Sequence, residues 1–493
     1  MTEPRIALPA GTVAAQALAD GLAEICTELS LPSAFSEAVT AEAAEASAAG
    51  HPDAAAWLVL GARVDRTDLP LVTLDPLGSR DLDQAFAIEL EGGGAGGFTL
   101  HYAIADVAAH ARPGGAIDAE SRARGETVYL PGQRVPLHPA ALSEDAASLL
   151  PGVDRLAVLW TLTVDGSGEL VGSRVGRALV RSTAQLDYAG AQAALDAGTP
   201  HPQIANLALV GPVLQAAARG RGAIELPEPS QELVPVPGSD AWRLAWLPRH
   251  PLEDWNAQLS LLTGRAAATI MLGARSGLLR TLPPAEPGAE ALLRTAAQAL
   301  SVPWPAEQSL AERLATLDAG EPAHLALIDR SRALLRGAGY LPLLGLDPAP
   351  QEAIHSAVAA PYAHVTAPLR RLGDRFATEA VLAAVAGVAP PDWVASSLVQ
   401  LPDLLRASGR RAGSATRAVV DLAEALVLAP YVGQTFEAAV VEVAGKNAEI
   451  RIVDPPIRAR ADAAGLTAGT RAQVRLTLAD PTGRRVRFAA QSG

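Results

Sequence analysis

The chain has 493 residues, of which 49% are hydrophobic and only 4% aromatic, and its formal net charge is −13. The length predicts about three domains, and the acidic balance argues against a protein that coats polyanions generally, although basic residues could still line an internal channel. The single cysteine, Cys26, excludes an internal disulfide and fits a reducing compartment.

The sequence predicts neither a membrane span nor a secretory signal. No uninterrupted apolar run reaches the ~18 residues that a bilayer-crossing helix needs. The first segment, MTEPRIALPAG, lacks a basic region followed by an apolar core. We therefore expect a cytoplasmic protein with no membrane partner.

Residues 1–62 predict a small helical domain. One apolar face recurs at helical spacing and consists of Leu18, Leu22, Ile25 and Leu29. Ser36 can cap a second helix, and Asp53 can cap a third that ends near Gly61. Three short helices are typical of a helix-turn-helix-like unit, and a plain helical cap on the next domain explains the pattern equally well.

Residues 63–190 change to a pattern of strands and loops, and one segment there concentrates acidic side chains. LVTLDPLGSRDLDQAFAI, residues 71–88, has a strand-like stretch on each side of a turn and contains Asp75, Asp81 and Asp83. Buried like charges repel one another, so a divalent cation would offset their cost, and oxygen ligands favour a hard ion such as Mg²⁺. A solvated turn with ordinary surface aspartates is the alternative that composition alone leaves open.

Two further regions complete the predicted architecture. Residues from about 205 to 430 show a mainly helical pattern, and residues 431–493 contain four or five short strands. Strands of that number and length suit a small closed barrel of the OB type. The predicted fold class is α+β and multidomain: a helical N-terminal domain, a mixed α/β unit over residues 63–430 and a C-terminal five-stranded OB-type barrel.

A basic segment, HVTAPLRRLGDRF at residues 364–376, places Arg370 and Arg371 directly after a proline at a predicted helix start. An arginine beside a carboxylate–metal site suits phosphoryl transfer, because its charge stabilises the growing charge on the phosphate oxygens. Taken alone, LRRLGD is more often a solvated helix face. The nine histidines include no pair at zinc-ligand spacing.

Four segments, in this order, closely resemble the ribonuclease II family of exoribonucleases. They are TLDPLGSRDLDQAF, the stretch from HYAIADV through YLPGQRVPLHP to LAVLWTLTV, STAQLDYAGAQAAL, and YAHVTAPLRRLGD. The resemblance covers about residues 65–430. It implies a ribonuclease II-type catalytic domain at 63–430, an OB-type RNA-binding domain at 431–493, and a processive 3′-to-5′ hydrolytic exoribonuclease. The implied substrate is single-stranded RNA, which such an enzyme degrades to nucleoside 5′-monophosphates.

The resemblance also implies roles for individual residues. Asp75 and Asp81 would help to hold Mg²⁺, with Mn²⁺ as an alternative, and Asp83 would be most directly tied to activating the attacking water. Arg370 would hold the phosphate, and we expect Arg371 to contact RNA as well. We expect a monomer without a small-molecule cofactor.

Three other residues are implied to contact RNA. Tyr129 would stack on the last nucleotide, and base stacking tolerates any sequence. Tyr188 and Glu253 would contact the terminal nucleotide and its 2′-hydroxyl. Core packing with the hydroxyl at the surface is the alternative for both tyrosines.

Gln84 departs from the family pattern, which has a fourth aspartate at this position. A glutamine carbonyl can bind Mg²⁺ but carries no charge. In one extended strand, Gln84 would share a face with Phe86 and Ile88, opposite Asp83, so we expect a weak ligand or none. A catalytically impaired RNA-binding member of the family is therefore one alternative to an active exoribonuclease. A nuclease that prefers DNA or structured RNA is a separate alternative.

The C-terminal barrel carries few aromatic side chains for stacking on bases. Phe436 is almost the only one. We therefore expect contacts with the RNA backbone to dominate there, from Arg451, Arg458 and Arg460.

Overall fold

The computed structural model describes residues 13–48, 57–59, 63–92, 96–227, 230–235, 242–247, 249–345, 347–452, 454 and 457–491. The N-terminal part contains α1 (Val13–Glu28), α2 (Glu37–Ala48), β1 (Val64–Asp75), β2 (Gln84–Glu91), β3 (Gly97–Ala105), α3 (Val107–His110), α4 (Ala116–Arg124), β4 (Val128–Leu130), β5 (Gln133–Val135), a π-helical turn (Leu142–Ala146), β6 (Asp154–Val164), β7 (Leu170–Asp187), α5 (Tyr188–Asp196), α6 (Pro202–Gly220), β8 (Ser230–Pro235) and β9 (Trp242–Leu247).

The C-terminal part contains α7 (Pro251–Ala274), β10 (Ser276–Thr281), α8 (Ala289–Ala299), α9 (Leu310–Ala315), α10 (Pro322–Ser331), a 3₁₀ turn (Arg332–Leu335), β11 (Gly339–Leu344), β12 (Ile354–His355), β13 (Ala360–Pro361), α11 (Leu372–Ala386), α12 (Asp392–Leu398), α13 (Leu401–Leu428), a second 3₁₀ turn (Ala429–Tyr431), β14 (Thr435–Ala444), β15 (Asn447–Ile452), β16 (Ile457–Asp462), β17 (Arg471–Asp480) and β18 (Arg485–Ala490). None of the helices in the described ranges is long and apolar enough to cross a membrane.

The N-terminal helices use the apolar positions that the sequence indicates. Leu18, Leu22 and Ile25 of α1 are buried and pack with α13 and the C-terminal strands in one hydrophobic core. The Ser36 hydroxyl accepts a hydrogen bond from the N–H of Val39 at 3.4 Å and so caps α2. The predicted third helix, from Asp53 to Gly61, lies outside the described residues except for 57–59.

The first barrel consists of the strands β1, β2, β3, β6 and β7, in that order, and closes by parallel pairing of β1 with β7. Side chains alternate between two faces, as they must in extended strands. Large side chains, such as Phe86, Tyr102 and Trp160, pack in the core that includes α7. Small ones, such as Ala85 and Ala103, pack in the core that includes α2. The two faces of the barrel strands therefore pack against different parts of the protein.

The second barrel consists of β14, β15, β16, β18 and β17 and is also closed. Four of its strands lie in segments that the sequence indicates, and β16 is the fifth. Its core contains aliphatic side chains and one aromatic: Val440, Ile450, Ile457, Val474, Leu476 and Phe488. These observations confirm the predicted α+β fold class with a C-terminal five-stranded barrel.

Candidate active site

The aspartate motif lies at one end of the first barrel. β1 ends at Asp75, β2 begins at Gln84, and the connection between them carries Asp81 and Asp83. The carbonyl of Asp83 accepts a hydrogen bond from the N–H of Ala105, the last residue of β3, at 2.9 Å. The ends of three strands thus hold this connection in place.

Asp83 is buried, with 2% of its surface exposed, and joins the aspartate motif to the arginine motif. Its Oδ1 accepts a hydrogen bond from the N–H of Leu369 at 2.7 Å, across 286 residues of sequence. The Nε of Arg370 lies 3.4 Å from its Oδ2. The structure therefore brings Asp83 and Arg370 together, and 42% of the Arg370 side chain remains exposed for a ligand.

Two carboxylate oxygens at this site lack hydrogen bonds. Within the described structure, the Oδ2 atoms of Asp75 and Asp83 are buried and accept none. Burial raises the pKa of Asp83 to about 8, although the charge of Arg370 opposes the shift. Burial also raises the pKa of Asp75 to about 6; Arg370 opposes this shift and Asp81 adds to it. Carboxylates in this state fit a divalent cation, which would stabilise their charged forms.

Asp81 is oriented differently, because a hairpin binds both of its oxygens. The Tyr129 hydroxyl donates to Oδ2 at 2.8 Å, and the Arg134 guanidinium donates to Oδ1 at 2.9 Å. Among the residues that the structure describes, no group of three or more His, Cys, Asp and Glu side chains has the arrangement of a metal site.

Sequence reasoning missed Arg134; its position directly opposite Tyr129 in the β4–β5 hairpin was the available signal.

Gln84 lies on the same strand face as Phe86, as expected. Its Oε1 accepts hydrogen bonds from the Tyr102 hydroxyl and, at 3.2 Å, from the Ser260 hydroxyl of α7. A carbonyl oxygen has two lone pairs, so these two donors satisfy it. The structure thus gives Gln84 a packing role, and its proposed part as a metal ligand stays a prediction.

The three residues predicted to contact the last nucleotide lie in different surroundings. The ring of Tyr129 is half exposed, and burial of its hydroxyl raises its pKa, so the hydroxyl stays a donor to Asp81. The Tyr188 hydroxyl accepts a hydrogen bond from Asn256 at 2.9 Å, and burial raises its pKa to about 12. Glu253 accepts the N–H of His250 at 2.9 Å and closes the N-terminus of α7. Asn256 was not predicted.

The two adjacent arginines have distinct partners. Arg371 donates to both oxygens of Asp374, at 3.0 and 2.7 Å, and Asp374 is fully buried. Asp374 also accepts the N–H of Ala367 at 2.8 Å. Arg371 therefore stabilises the loop that presents Arg370, and its predicted contact with RNA remains untested.

The basic residues of the C-terminal barrel are mostly engaged within the protein. Arg451 is buried, and its guanidinium lies 4.6 Å from the ring centre of Trp246. Arg458 pairs with Asp329 and Glu449. Phe436 packs edge-on against Phe488. Of the residues predicted to contact the RNA backbone here, Arg460 is the exposed one.

Comparison with known protein families shows to which family this chain belongs. The model of the RNB domain matches residues 63–386, which is more than half of the chain. The chain belongs to the ribonuclease II family. The RNB domain is followed by a match to the RNase II-type exonuclease C-terminal S1 domain over residues 434–491. The family predicted from the four motifs is thus confirmed.

Individual relatives agree with this assignment. Ribonuclease R of Escherichia coli is 44% identical over 126 residues, which are 26% of this chain and 15% of that protein. Ribonuclease R of Mycoplasma genitalium, solved with ribose-methylated single-stranded RNA, superposes with a TM-score of 0.83 at 19% identity, covering 96% of this chain and 78% of that one. Yeast Ssd1, described as a pseudonuclease, superposes with a TM-score of 0.69 at 17% identity, covering 90% and 55%. The structural likenesses show a shared RNB-domain fold.

Proposed function

We propose that this protein is a metal-dependent exoribonuclease that hydrolyses single-stranded RNA from the 3′ end and releases nucleoside 5′-monophosphates. The observation that carries the proposal is Asp83: a buried carboxylate with one oxygen fixed by Leu369 and the other, beside Arg370, accepting no hydrogen bond. A negative group and a partly exposed arginine so close together suit a reaction at a phosphate.

The metal would be held by Asp75 and Asp83, whose unbonded oxygens fit a hard cation such as Mg²⁺ or Mn²⁺. When bound, such a cation supplies charge neutralisation for the phosphate and a lower pKa for the attacking water. Arg370 supplies a planar cation for the non-bridging phosphate oxygens.

The half-exposed ring of Tyr129 is the group that would hold the base. Its hydroxyl is fixed on Asp81, so the ring is already ordered beside the site before a base arrives. Stacking uses the π-face that every base has, which suits an enzyme that must accept all four nucleotides.

A catalytically impaired RNA-binding protein is the second candidate. Gln84 motivates it, because an uncharged residue stands where the family pattern has an aspartate, and a described pseudonuclease shares the fold. We favour the enzyme because Asp75, Asp81, Asp83, Tyr129 and Arg370 are all present. A decayed site would more often have lost several of them.

The deciding experiment is a digestion series with products resolved by length. The substrates are 5′-labelled single-stranded RNA, the matching DNA, and an RNA duplex with a 3′ overhang, each with Mg²⁺, Mn²⁺ or a chelator. The proposal expects stepwise shortening of the single-stranded RNA from its 3′ end, which stops with the chelator. Binding without shortening would establish the second candidate, and faster digestion of DNA or duplex would establish a different substrate preference.

A further inference from the structure

A cross-strand pair in the β4–β5 hairpin binds Asp81 from two sides. Tyr129 and Arg134 are directly opposite each other in the register of the hairpin. Tyr129 donates to Oδ2 of Asp81 at 2.8 Å, and Arg134 donates to Oδ1 at 2.9 Å. Neither side chain of the ion pair is strongly exposed, with 25% exposure for Arg134 and 10% for Asp81. Solvent screening of this pair is therefore limited.

A second carboxylate fixes the guanidinium of Arg134. Its Nη2 pairs with Glu144 in the π-helical turn, while its Nη1 stays on Asp81. Arg80, the residue before Asp81, lies 3.4 Å from the other oxygen of Glu144. An arginine held at both ends of its fork has a defined position, since the planar group allows both contacts at once.

The charges around the aspartate motif then divide into two groups. Arg134 neutralises Asp81, and both oxygens of Asp81 are already bonded. Asp75 and Asp83 keep oxygens that accept no hydrogen bond within the described structure. Gln84 adds no charge, and its Oε1 is bonded to Tyr102 and Ser260. Asp75 and Asp83 are therefore the two carboxylates that offer unbonded oxygens to a divalent cation, with Arg370 beside Asp83.

We propose that the Arg134 guanidinium is a resident cation at Asp81, so that the site of this protein binds one divalent ion, at Asp75 and Asp83, and none at Asp81. This inference rests on the proposed function, because it concerns the metal of the same site. It assigns Arg134 as a positioning residue, which acts through Asp81.

The test counts bound Mn²⁺ in the full chain without RNA, by equilibrium dialysis with detection of free Mn²⁺ by electron paramagnetic resonance. The wild type is expected to bind one ion, and D83N is expected to lose it. R134A is expected to bind two, because Oδ1 of Asp81 and Oε1 of Glu144 then lack their cationic partner. The double variant R134A/D81N is expected to return to one.

Arg221 offers a matched control, since it is 22% exposed and pairs with Glu169. Glu169 lies in the β6–β7 connection, at the opposite end of the barrel strands from Asp83. R221A should therefore keep one ion. Thermal unfolding of each variant shows whether it is folded.

Two results would overturn the inference: a wild type that binds two ions or none, or a folded R134A that still binds one. Exonuclease activity is scored separately. A wild type that binds one ion but never shortens RNA would leave the inference standing and contradict the proposed function.

Discussion

Oδ1 of Asp83 accepts a hydrogen bond from the backbone N–H of Leu369 at 2.7 Å, and this bond joins two motifs that are 286 residues apart in the sequence. It also places Arg370, the next residue, 3.4 Å from Oδ2. The carboxylate and the arginine of the proposed site therefore depend on one another for position. Variants at either residue can be interpreted through this one contact.

Replacing Asp83 with asparagine should abolish turnover and retain RNA binding. The amide oxygen can still accept the N–H of Leu369, so the loop keeps its position, while the negative charge is lost. We expect RNA hydrolysis to fall by at least about 100-fold, as for other electrostatic contributors to catalysis. Single-turnover digestion and RNA-binding titrations measure the two effects, and a D83N protein with wild-type turnover would refute the role of Asp83.

Arg370 and Arg371 should differ in what their loss changes. R370A should reduce hydrolysis by about 10²–10³-fold, because the partly exposed guanidinium is available to a phosphate. It should cost less stability than R371A, because the pKa of Asp83 is already raised to about 8 and its carboxyl can take up a proton when Arg370 is absent. R371A should lower the free energy of unfolding by about 3 kcal/mol, since it leaves Asp374 buried without its cation.

Urea unfolding and steady-state kinetics of both variants check this contrast, and each variant is the control for the other. A double variant R371A/D374N should recover part of the lost stability. If R371A instead reduced activity at full stability, Arg371 would belong with the RNA-contacting residues after all.

Two variants of Tyr129 distinguish the contribution of ring stacking to RNA binding from that of the hydroxyl hydrogen bond. In a D83N background, which prevents degradation, Y129A should weaken RNA binding by about 1–3 kcal/mol, the range for loss of a base–aromatic stack. Y129F should weaken binding much less than Y129A, because the stacking ring remains and only the bond to Asp81 that orders it is lost. Fluorescence anisotropy with labelled RNA measures both. Equal weakening in the two variants would mean that the hydroxyl, rather than the ring, is what RNA binding requires.

The buried Glu424, which lies apart from the proposed metal site, should make the stability of the protein depend on pH. It is buried at the contact of α13 with β8 and the second barrel, where its Oε1 accepts hydrogen bonds from Gln231 and from the N–H of Arg458. Burial raises its pKa to about 8, against an ordinary value of 4.5. Between pH 4.5 and pH 8, the folded state therefore keeps a proton on Glu424 that the unfolded state has lost.

Stability from this group is full below pH 4.5 and declines as pH rises toward 8, by up to about 1.4 kcal/mol per pH unit. The E424Q variant keeps a neutral acceptor at all pH values. The difference in unfolding free energy between wild type and E424Q should thus decline from pH 5 to pH 8 and level off above it. A difference that is constant with pH would contradict the raised pKa.

The sequence predicts the elements of the first barrel better than their closure. Alternating apolar residues mark β2 and β3, since each strand has two buried faces of different character. Closure comes from parallel pairing of Val64 with Ala178 and of the residues that follow. No local pattern encodes a contact between segments so distant in the chain.

The site shows the same division between local and distant information. Asp75, Asp83 and Arg370 lie in motifs that can be recognised in the sequence, and the structure brings Asp83 and Arg370 together. Arg134 was missed, because its role depends on a contact between the β4–β5 hairpin and Asp81 across 53 residues, and its position opposite Tyr129 was the only local signal. The Arg371–Asp374 pair could have been predicted from the sequence, since residues three apart at a helix start lie on one face.

The most direct test of the central claim is the identity of the product formed in ¹⁸O-labelled water. Purified protein is incubated with single-stranded RNA and Mg²⁺, and the released nucleotides are analysed by mass spectrometry. Hydrolysis from the 3′ end predicts nucleoside 5′-monophosphates that carry one ¹⁸O in the phosphate. Nucleoside 3′-phosphates, unlabelled 5′-monophosphates, or RNA that is bound but never shortened would contradict the claim.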